Sequence, residues 1–458
     1  MNMNRIISIL YLLLFFTGES ELYAWTYPTS KPSIPFSSGD GSYSHPYEIR
    51  NEHDLANLAY MVREEGEDYS GKHFVMTNDI TLNKNLVNAD CTDRNKGSFQ
   101  VWKPIGNGSG NKFKGDFNGN SHTIYGLFIE ANDYYNGLFG VVDEGTIRNL
   151  TIADSYMCAS NPYSSNFYGF IAGQTSDATL LNCHVKNSSV RNSYNDDSWN
   201  KIGIGGLVGG SLEEDVFSKC SFYGNFVLES FHTSTLVYAG GILGYGDWSP
   251  STSSEVKLYS CSTKGKFKVT GSPAIGVYGI GSNIGDAYGC VAGMDFDIQT
   301  HGEYYTGTST NPLDVASFSY TSARCTLCTT YGTIKVGEPN NPVQVRPLGK
   351  QESYHIGIGT FCSEGRSFDS DGDVKDQCAA YTNVELYLHD ASKGNAFITS
   401  FGWAYTGTMQ YKKLHLNNCI VAGNRTIKSN TPIRYNPLVT FGNRNGKPHQ
   451  NVKEAWQS

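Results

Sequence analysis

The sequence is poor in charged residues and lacks a basic segment. Lysine and arginine number 35 and aspartate and glutamate 43, so that charged residues make up 17% of the 458 residues and the formal net charge is −8. Without a block of positive charge to neutralise phosphates, a nucleic acid is excluded as an expected partner. The overall field gives the binding of an acidic polysaccharide no help either.

Long apolar runs are also lacking. The N-terminal run Ile6–Phe16 follows Arg5 and is too short to cross a bilayer, and no later segment approaches the required length. A positive residue, a short apolar stretch and the small residue Ala24 are typical of a secretion signal, although Leu22 is larger than a cleavage site prefers. We therefore predict a signal peptide over residues 1–24, no transmembrane segment, and a chain that is secreted or held at the cell surface.

What the chain does contain is a repeated phrase, Gly-apolar-apolar-Gly, each copy of which precedes a segment of alternating apolar and polar residues. The copies are Gly137-Leu138-Phe139-Gly140, Gly169-Phe170-Ile171-Ala172-Gly173, Gly206-Leu207-Val208-Gly209, Gly241-Ile242-Leu243-Gly244 and the frayed Gly279-Ile280-Gly281. The segments are rich in Val, Ile, Thr and Tyr, which indicates strands and not helices. Short strands that repeat every 32 to 38 residues predict a β-solenoid, with a sandwich of ordinary hairpins as the alternative.

The eleven cysteines are an odd number, and their placement does not favour a disulfide framework. Four of them, Cys183, Cys220, Cys261 and Cys419, hold equivalent positions in their strand-like runs. In a stacked coil such positions lie above one another, so we predict inward, unpaired thiols in a buried ladder. The Cys325–Cys328 pair is either a local disulfide or two unpaired strand cysteines, since no second CxxC or nearby histidine cluster supports zinc.

One convincing helix is predicted near Glu52–Glu64, where apolar residues share one face. The first coil of a solenoid exposes its apolar end, and this helix is the natural cap. The predicted organisation is an extended leader over residues 25–44, the cap and regular coils over 45–300, and a less regular continuation over 301–458.

An ordered series of motifs supports this organisation. Its members are Asp54–Ala59, Tyr69–Lys72, Thr77–Ile80, Trp102–Gly106 and Phe113–Ile124. The series resembles the N-terminal part of bacterial surface proteins that carry the GLUG motif, named for the Gly-Leu-apolar-Gly phrase. It departs at Ser121, where the family usually has glycine, and the resemblance ends at about residue 300. It implies a right-handed parallel β-helix, export, and a role in adhesion or surface interaction, and it carries over no catalytic residues to this sequence.

Two carboxylates are the best enzymatic candidates. In Met294-Asp295-Phe296-Asp297-Ile298, a strand would turn the three apolar residues inward and Asp295 and Asp297 outward. Their separation of roughly 7 Å lies within the range of inverting glycosidases. The alternative is a pair of solvated acids on the outer face of a sheet.

A second acidic group is a candidate for calcium. Asp369, Asp371 and Asp373 alternate around a glycine turn and offer the hard oxygen ligands that calcium prefers, although a full EF-hand loop and its terminal glutamate are missing. The alternative is a solvated acidic turn, which is also what we predict for Glu213–Asp215. No other cofactor is expected.

Aromatic residues between the strands are the candidates for ligand binding. Tyr134, Tyr135, Tyr163, Tyr168 with its neighbour Phe167, and Trp248 fall where loops leave the coils, and exposed rings stack on sugar rings. The alternative is that these rings pack loops onto the solenoid.

These observations predict a non-catalytic exported surface or adhesion protein that binds a glycan or a cell-surface protein. The first alternative is a polysaccharide lyase or glycoside hydrolase on a pectin-lyase-like β-helix, acting at Asp295 and Asp297. The second alternative is a structural stalk of a surface assembly. Fold alone does not decide between them, because one scaffold hosts both binding proteins and enzymes.

Overall fold

Alternating apolar and polar residues form strands throughout the part of the chain that the structure describes. The computed structural model describes residues 25–108, 110–130, 133–159, 166–194, 201–230, 236–246, 256–271, 275–305, 313–348, 355–363, 373–389, 395–401, 414–429, 438–439 and 453–454. The predicted signal peptide, residues 1–24, lies outside them. No helix in the described ranges is long and apolar enough to cross a membrane.

The described strands are numbered in chain order. Before the first repeated phrase come β1 (Tyr47–Ile49), β2 (His73–Met76), β3 (Ile80–Thr81), β4 (Asp116–Asn118), β5 (Thr123–Tyr125) and β6 (Phe128–Glu130). The next are β7 (Tyr135–Asn136), β8 (Phe139–Asp143), β9 (Thr146–Arg148), β10 (Thr151–Ala153), β11 (Tyr156–Cys158), β12 (Asn166–Gly169), β13 (Ala172–Ser176), β14 (Thr179–Leu181) and β15 (His184–Tyr194).

The central coils contain β16 (Lys201–Gly205), β17 (Val208–Ser211), β18 (Val216–Ser218), β19 (Ser221–Ser230), β20 (Leu236–Gly240), β21 (Leu243–Gly246), β22 (Lys257–Tyr259), β23 (Ser262–Gly271), β24 (Ile275–Tyr278), β25 (Gly281–Tyr288) and β26 (Val291–Tyr305). Next come β27 (Leu313–Ala316), β28 (Ser319–Thr326), β29 (Thr329–Thr330), β30 (Thr333–Val336), β31 (Gln344–Leu348), β32 (His355–Cys362) and β33 (Asp373–Asp376). The last are β34 (Ala379–Ala380), β35 (Asn383–Leu388), β36 (Asn395–Phe401), β37 (Leu414–Asn417), β38 (Ile420–Val421), β39 (Arg425–Ser429), β40 (Leu438–Val439) and β41 (Lys453–Glu454).

Each regular coil consists of three short strands followed by one long strand. In the coil around Cys220 the short strands are β16, β17 and β18, which we call arms 1, 2 and 3, and the long strand is β19. Arms of successive coils pair in parallel and in register, and so do the long strands. The arms form one sheet and the long strands a second. Since a sandwich of hairpins requires antiparallel pairs, the prediction of a parallel β-helix is confirmed.

The stack continues after residue 300. The strand β30 pairs in parallel with β35, and β35 with β39. The strand β38 pairs with β41, so the described strands remain in the stack almost to the C-terminus.

The N-terminal end of the stack is covered by the predicted helix, α1 (Glu52–Arg63). The Asn51 side chain accepts hydrogen bonds from the backbone N–H groups of His53 and Asp54, which caps its first turn. Its apolar face is buried, through Leu55, Ala56, Leu58, Ala59, Met61 and Val62. The helix therefore shields the core that the first coil would otherwise expose.

The segment 25–44, predicted as an extended leader, is folded back as part of this cap. Trp25 is only 1% exposed, and its indole Nε1 donates a hydrogen bond to the carbonyl oxygen of Leu82 at 3.0 Å. The Trp25 ring lies 5.5 Å from that of Trp102. The Asn57 amide of α1 donates to the carbonyl oxygen of Pro35 at 3.0 Å. The prediction missed this packing because the segment forms neither helix nor strand.

The predicted cysteine ladder is present and longer than the sequence indicated. Its members are Cys183, Cys220, Cys261, Cys290, Cys328, Cys378 and Cys419, each buried and each directly before a residue in register with its counterparts. All eleven cysteines are free thiols, so the Cys325–Cys328 pair forms no disulfide. The residue before each ladder cysteine has a positive φ, and this left-handed step turns the chain at the corner.

The glycines of the repeated phrase are required by close backbone contact. None of them has a positive φ. A Cβ added to Gly209 would lie 2.2 Å from the backbone nitrogen of Tyr168 and 2.6 Å from the carbonyl oxygen of Gly173, both in the preceding coil. Only glycine allows arms 1 and 2 to approach this closely.

Candidate functional site

The outer sides of arms 1 and 2 face each other across a crease. A Cβ at Gly173, in arm 2, would lie 2.4 Å from the backbone nitrogen of Asn136, in arm 1 of the preceding coil. The ring of Phe167, in arm 1, likewise covers Gly210 in arm 2 and Gly203 in arm 1 of the following coil. Since the apolar pair of each phrase points into the core, the crease lies on the outside of the solenoid and runs along its axis.

Aromatic rings fill the N-terminal half of this crease. Tyr135 and Phe167 are register partners, and their rings stack at 6.1 Å with an interplanar angle of 6°. The next ring is that of Tyr245, 6.1 Å from Phe167 and inclined by 30°. Tyr238 lies 5.3 Å from Tyr245. All four side chains are partly exposed to solvent.

Polar groups follow the rings along the same crease. The arm-1 position after Tyr238 is Gly276, and the next is Asp314, which is 5% exposed. On arm 2, Thr321 donates a hydrogen bond to the Asn283 side-chain oxygen at 3.0 Å. Amide, hydroxyl and carboxylate groups thus follow the rings; Asp314 and Thr321 are buried and Asn283 is partly exposed.

The predicted ligand-binding aromatics lie in different environments. Tyr135 lies in the crease, and Tyr134 beside it is 57% exposed. Tyr163 and Trp248 lie outside the described residues. The prediction for Tyr168 is wrong, because its ring is fully buried in the core and cannot stack on a ligand from solution. Its neighbour Phe167 faces outward instead, since successive strand residues point to opposite faces.

The carboxylates of Asp295 and Asp297 are on the outer face, as the strand pattern predicted. Met294, Phe296 and Ile298 are at most 1% exposed. Asp297 forms an ion pair with Lys266 in the preceding coil at 3.3 Å. Asp295 accepts the backbone N–H of Thr333 in the following coil at 2.8 Å. Each carboxylate thus bonds a different neighbouring coil.

The structure describes only one of the three predicted calcium ligands. Asp369 and Asp371 lie outside the described residues, and Asp373 is described only as the first residue of β33. Within the described ranges, no group of three or more His, Cys, Asp or Glu side chains could hold a metal ion.

Asp215 is a titratable residue whose environment the sequence did not indicate. The Glu213–Asp215 turn was predicted to be solvated, yet Asp215 is fully buried. Its carboxylate accepts hydrogen bonds from the hydroxyls of Thr175 and Ser211, both at 2.5 Å, and from the backbone N–H of Ala178 at 2.8 Å. Burial is the largest influence and raises the pKa of Asp215 to about 6, although these hydrogen bonds lower it.

This burial predicts a pH dependence of stability. Between about pH 4 and pH 6 the folded chain holds a proton on Asp215 that the unfolded chain has released, so the unfolding free energy falls as pH rises through this window, by about 3 kcal/mol. Urea midpoints measured from pH 4 to 7 should show this decline, and Asp215→Asn should flatten it. The exposed Glu213→Gln is the matched control. A decline that persists unchanged in Asp215→Asn would contradict the assignment.

Comparison with known proteins gives partial matches. No family model matches the chain. A 158-residue segment, 34% of the chain, is 34% identical to the "Putative Gly-rich membrane protein" of Evansella cellulosilytica, of which it covers 16%. A 177-residue segment is 29% identical to Halomucin of Haloquadratum walsbyi, of which it covers 2%. The chain therefore spans only a small part of the length of these relatives.

Two solved structures were also matched. One is a "putative immunoglobulin A1 protease" from Bacteroides ovatus, with 16% identity, a TM-score of 0.34, and coverage of 79% of this chain and 87% of that one. The other is an IgA1 protease with 11% identity and a TM-score of 0.35, matched over 82% of this chain and 21% of that one.

Proposed function

We propose that this chain is an exported, non-catalytic surface protein that binds an uncharged glycan along the crease between arms 1 and 2. The observation that carries the proposal is the series of partly exposed rings of Tyr135, Phe167, Tyr238 and Tyr245, followed by hydrogen-bonding side chains. The GLUG-like motif series and the names of the partial relatives, a membrane protein and Halomucin, support a location at the cell surface.

The physical basis of binding is ring stacking. A sugar presents an apolar C–H face to an aromatic ring, and the crease holds its rings on strands, where packing fixes their positions. A rigid site loses little conformational freedom when it binds. A linear chain of sugars would lie parallel to the solenoid axis.

The test is a glycan array followed by titration of the best neutral oligosaccharide. The double variant Phe167→Ala, Tyr245→Ala is expected to bind at least tenfold more weakly, because it removes two stacked rings. This corresponds to a loss of binding free energy of about 1.4 kcal/mol or more. Tyr134→Ala, at an exposed position that does not contact the core, is expected to weaken binding less. The matched control is Tyr259→Ala, Tyr288→Ala, which removes two exposed rings away from the crease.

Three outcomes separate the candidate functions. Unchanged binding in the crease variant, with the thermal midpoint preserved, would contradict the crease as the site. New reducing ends that vanish in Asp297→Asn would support the hydrolase or lyase instead. Binding to no glycan on the array would favour the structural stalk.

A further inference from the structure

We infer that the outer face of the long strands carries a second site, which binds a linear acidic polysaccharide along a row of alternating lysine and tyrosine side chains. The row, which we call the lysine–tyrosine row, consists of Lys186, Tyr223, Lys264 and Tyr331. It lies on the second sheet and shares no residue with the crease, so this inference does not depend on the proposed function.

Strand register places these residues side by side. Lys186 of β15 pairs with Tyr223 of β19, and Tyr223 pairs with Lys264 of β23. Lys264 pairs with Gly293 of β26. The ring of Tyr331 occupies the space over Gly293, where an added Cβ would lie 2.1 Å from the ring. Cation and ring therefore alternate along four successive positions, the last of which, over Gly293, is filled by a ring from the following coil.

The members of the row are available to a ligand. Tyr223 is 43% exposed and Tyr331 40%, and both lysines are exposed. Neither Lys186 nor Lys264 forms an ion pair with a described residue, whereas Lys266 pairs with Asp297. Among the residues that the structure describes, the row thus has two lysines without an ion-pair partner, on a chain whose net charge is −8.

The two acidic side chains of β26 that lie nearest to the row already bind other residues. Asp295, two residues beyond Gly293, accepts the backbone N–H of Thr333 at 2.8 Å. Asp297 lies at 3.3 Å from Lys266. These bonds hold both carboxylates away from the two lysines of the row.

The distance between the two tyrosine rings of the row indicates which kind of polysaccharide fits it. Neighbouring strands are about 4.8 Å apart, so the rings at the Tyr223 and Gly293 positions are separated by roughly 10 Å. This is close to the length of a disaccharide in an extended chain. Sugar faces would stack on the two tyrosines, and carboxylate or sulfate groups would lie at the lysines between and beside them. A polymer that alternates an acidic and a neutral sugar fits this order.

The experiment compares three polysaccharides on the exported chain by titration calorimetry at low and moderate salt. The probes are hyaluronan, which alternates an acidic uronate and a neutral N-acetylamino sugar, polygalacturonate, which has an acid on every sugar, and neutral chitohexaose. Hyaluronan is expected to bind most tightly, and raising the salt should weaken its binding because it screens the lysines. Lys186→Gln, Lys264→Gln is expected to lower its affinity at least tenfold, and Tyr223→Ala at least fivefold.

The control variant is Lys84→Gln, Lys96→Gln, which removes the same charge at two exposed lysines outside the row. Equal losses in the control and in Lys186→Gln, Lys264→Gln would overturn the site in favour of general charge attraction. Failure of all acidic probes to bind would also overturn it. Loss of hyaluronan binding in Phe167→Ala, Tyr245→Ala would overturn the independence of the row from the crease, whereas loss of neutral glycan binding alone in that variant supports two sites.

Discussion

Gly209→Ala is expected to abolish the cooperative folding of the central coils. The added methyl group would lie 2.2 Å from the backbone nitrogen of Tyr168 and 2.7 Å from the carbonyl carbon of Phe167. Neither backbone can move away alone, because each is hydrogen-bonded into a stack of strands. We expect a loss of more than about 4 kcal/mol, which reaches the range of the most damaging core substitutions. Soluble yield, circular dichroism and the urea midpoint would measure it.

Gly110→Ala is the matched control for this prediction. Apart from its two chain neighbours, no described residue has an atom within 4 Å of a Cβ at Gly110, and its φ is not in the left-handed region. The unfolding free energy should therefore stay the same or rise slightly, since alanine restricts the unfolded chain more than glycine does. If the two variants have similar stability, close backbone contact is not the reason for the phrase.

Phe267→Ala is expected to destabilise the stack by about 3–5 kcal/mol. The Phe267 ring lies between those of Phe226, at 4.3 Å, and Phe296, at 5.2 Å, and all three side chains are buried. In a solenoid each coil is stabilised by its neighbours, so one cavity weakens two interfaces at once. The urea midpoint should fall accordingly, and unfolding should start at the two weakened interfaces between this coil and its neighbours.

The double variant Phe226→Ala, Phe267→Ala tests the coupling. Because the two rings share an interface, its destabilisation should be smaller than the sum of the two single effects. Tyr223→Ala, which removes an exposed ring from the same strand as Phe226, should change stability by no more than about 0.5 kcal/mol. Additive losses would show that the rings do not stabilise each other.

The scaffold was predictable because it depends on local patterns. The repeated phrase marks the bend between arms 1 and 2, and the cysteine after each arm 3 marks the next corner. The capping helix was predictable from Asn51 and the apolar face that follows it. These signals are each contained in a few neighbouring residues, so one sequence suffices to read them.

The candidate sites were less predictable because they depend on register. Coils differ in length, so the sequence does not show that Lys186, Tyr223 and Lys264 are neighbours. The error at Tyr168 has a simpler cause, since the segment was predicted to be a loop, whereas Tyr168 lies in β12, where the strand alternation turns it inward and Phe167 outward. Asp215 was missed because its partners Thr175 and Ser211 lie in arm 2 of two successive coils.

The buried, unpaired thiols determine the redox conditions under which this chain can fold. Burial raises the pKa of Cys220 well above its usual range, and its sulfhydryl donates to the carbonyl oxygens of Leu180 and Ser218. A protonated, enclosed thiol exchanges poorly with disulfides and oxidants. The coils need no covalent cross-link, so their assembly is indifferent to the redox poise of the compartment. The chain can therefore complete its fold without an oxidising catalyst, and a reducing environment is an equally suitable one in which to produce it.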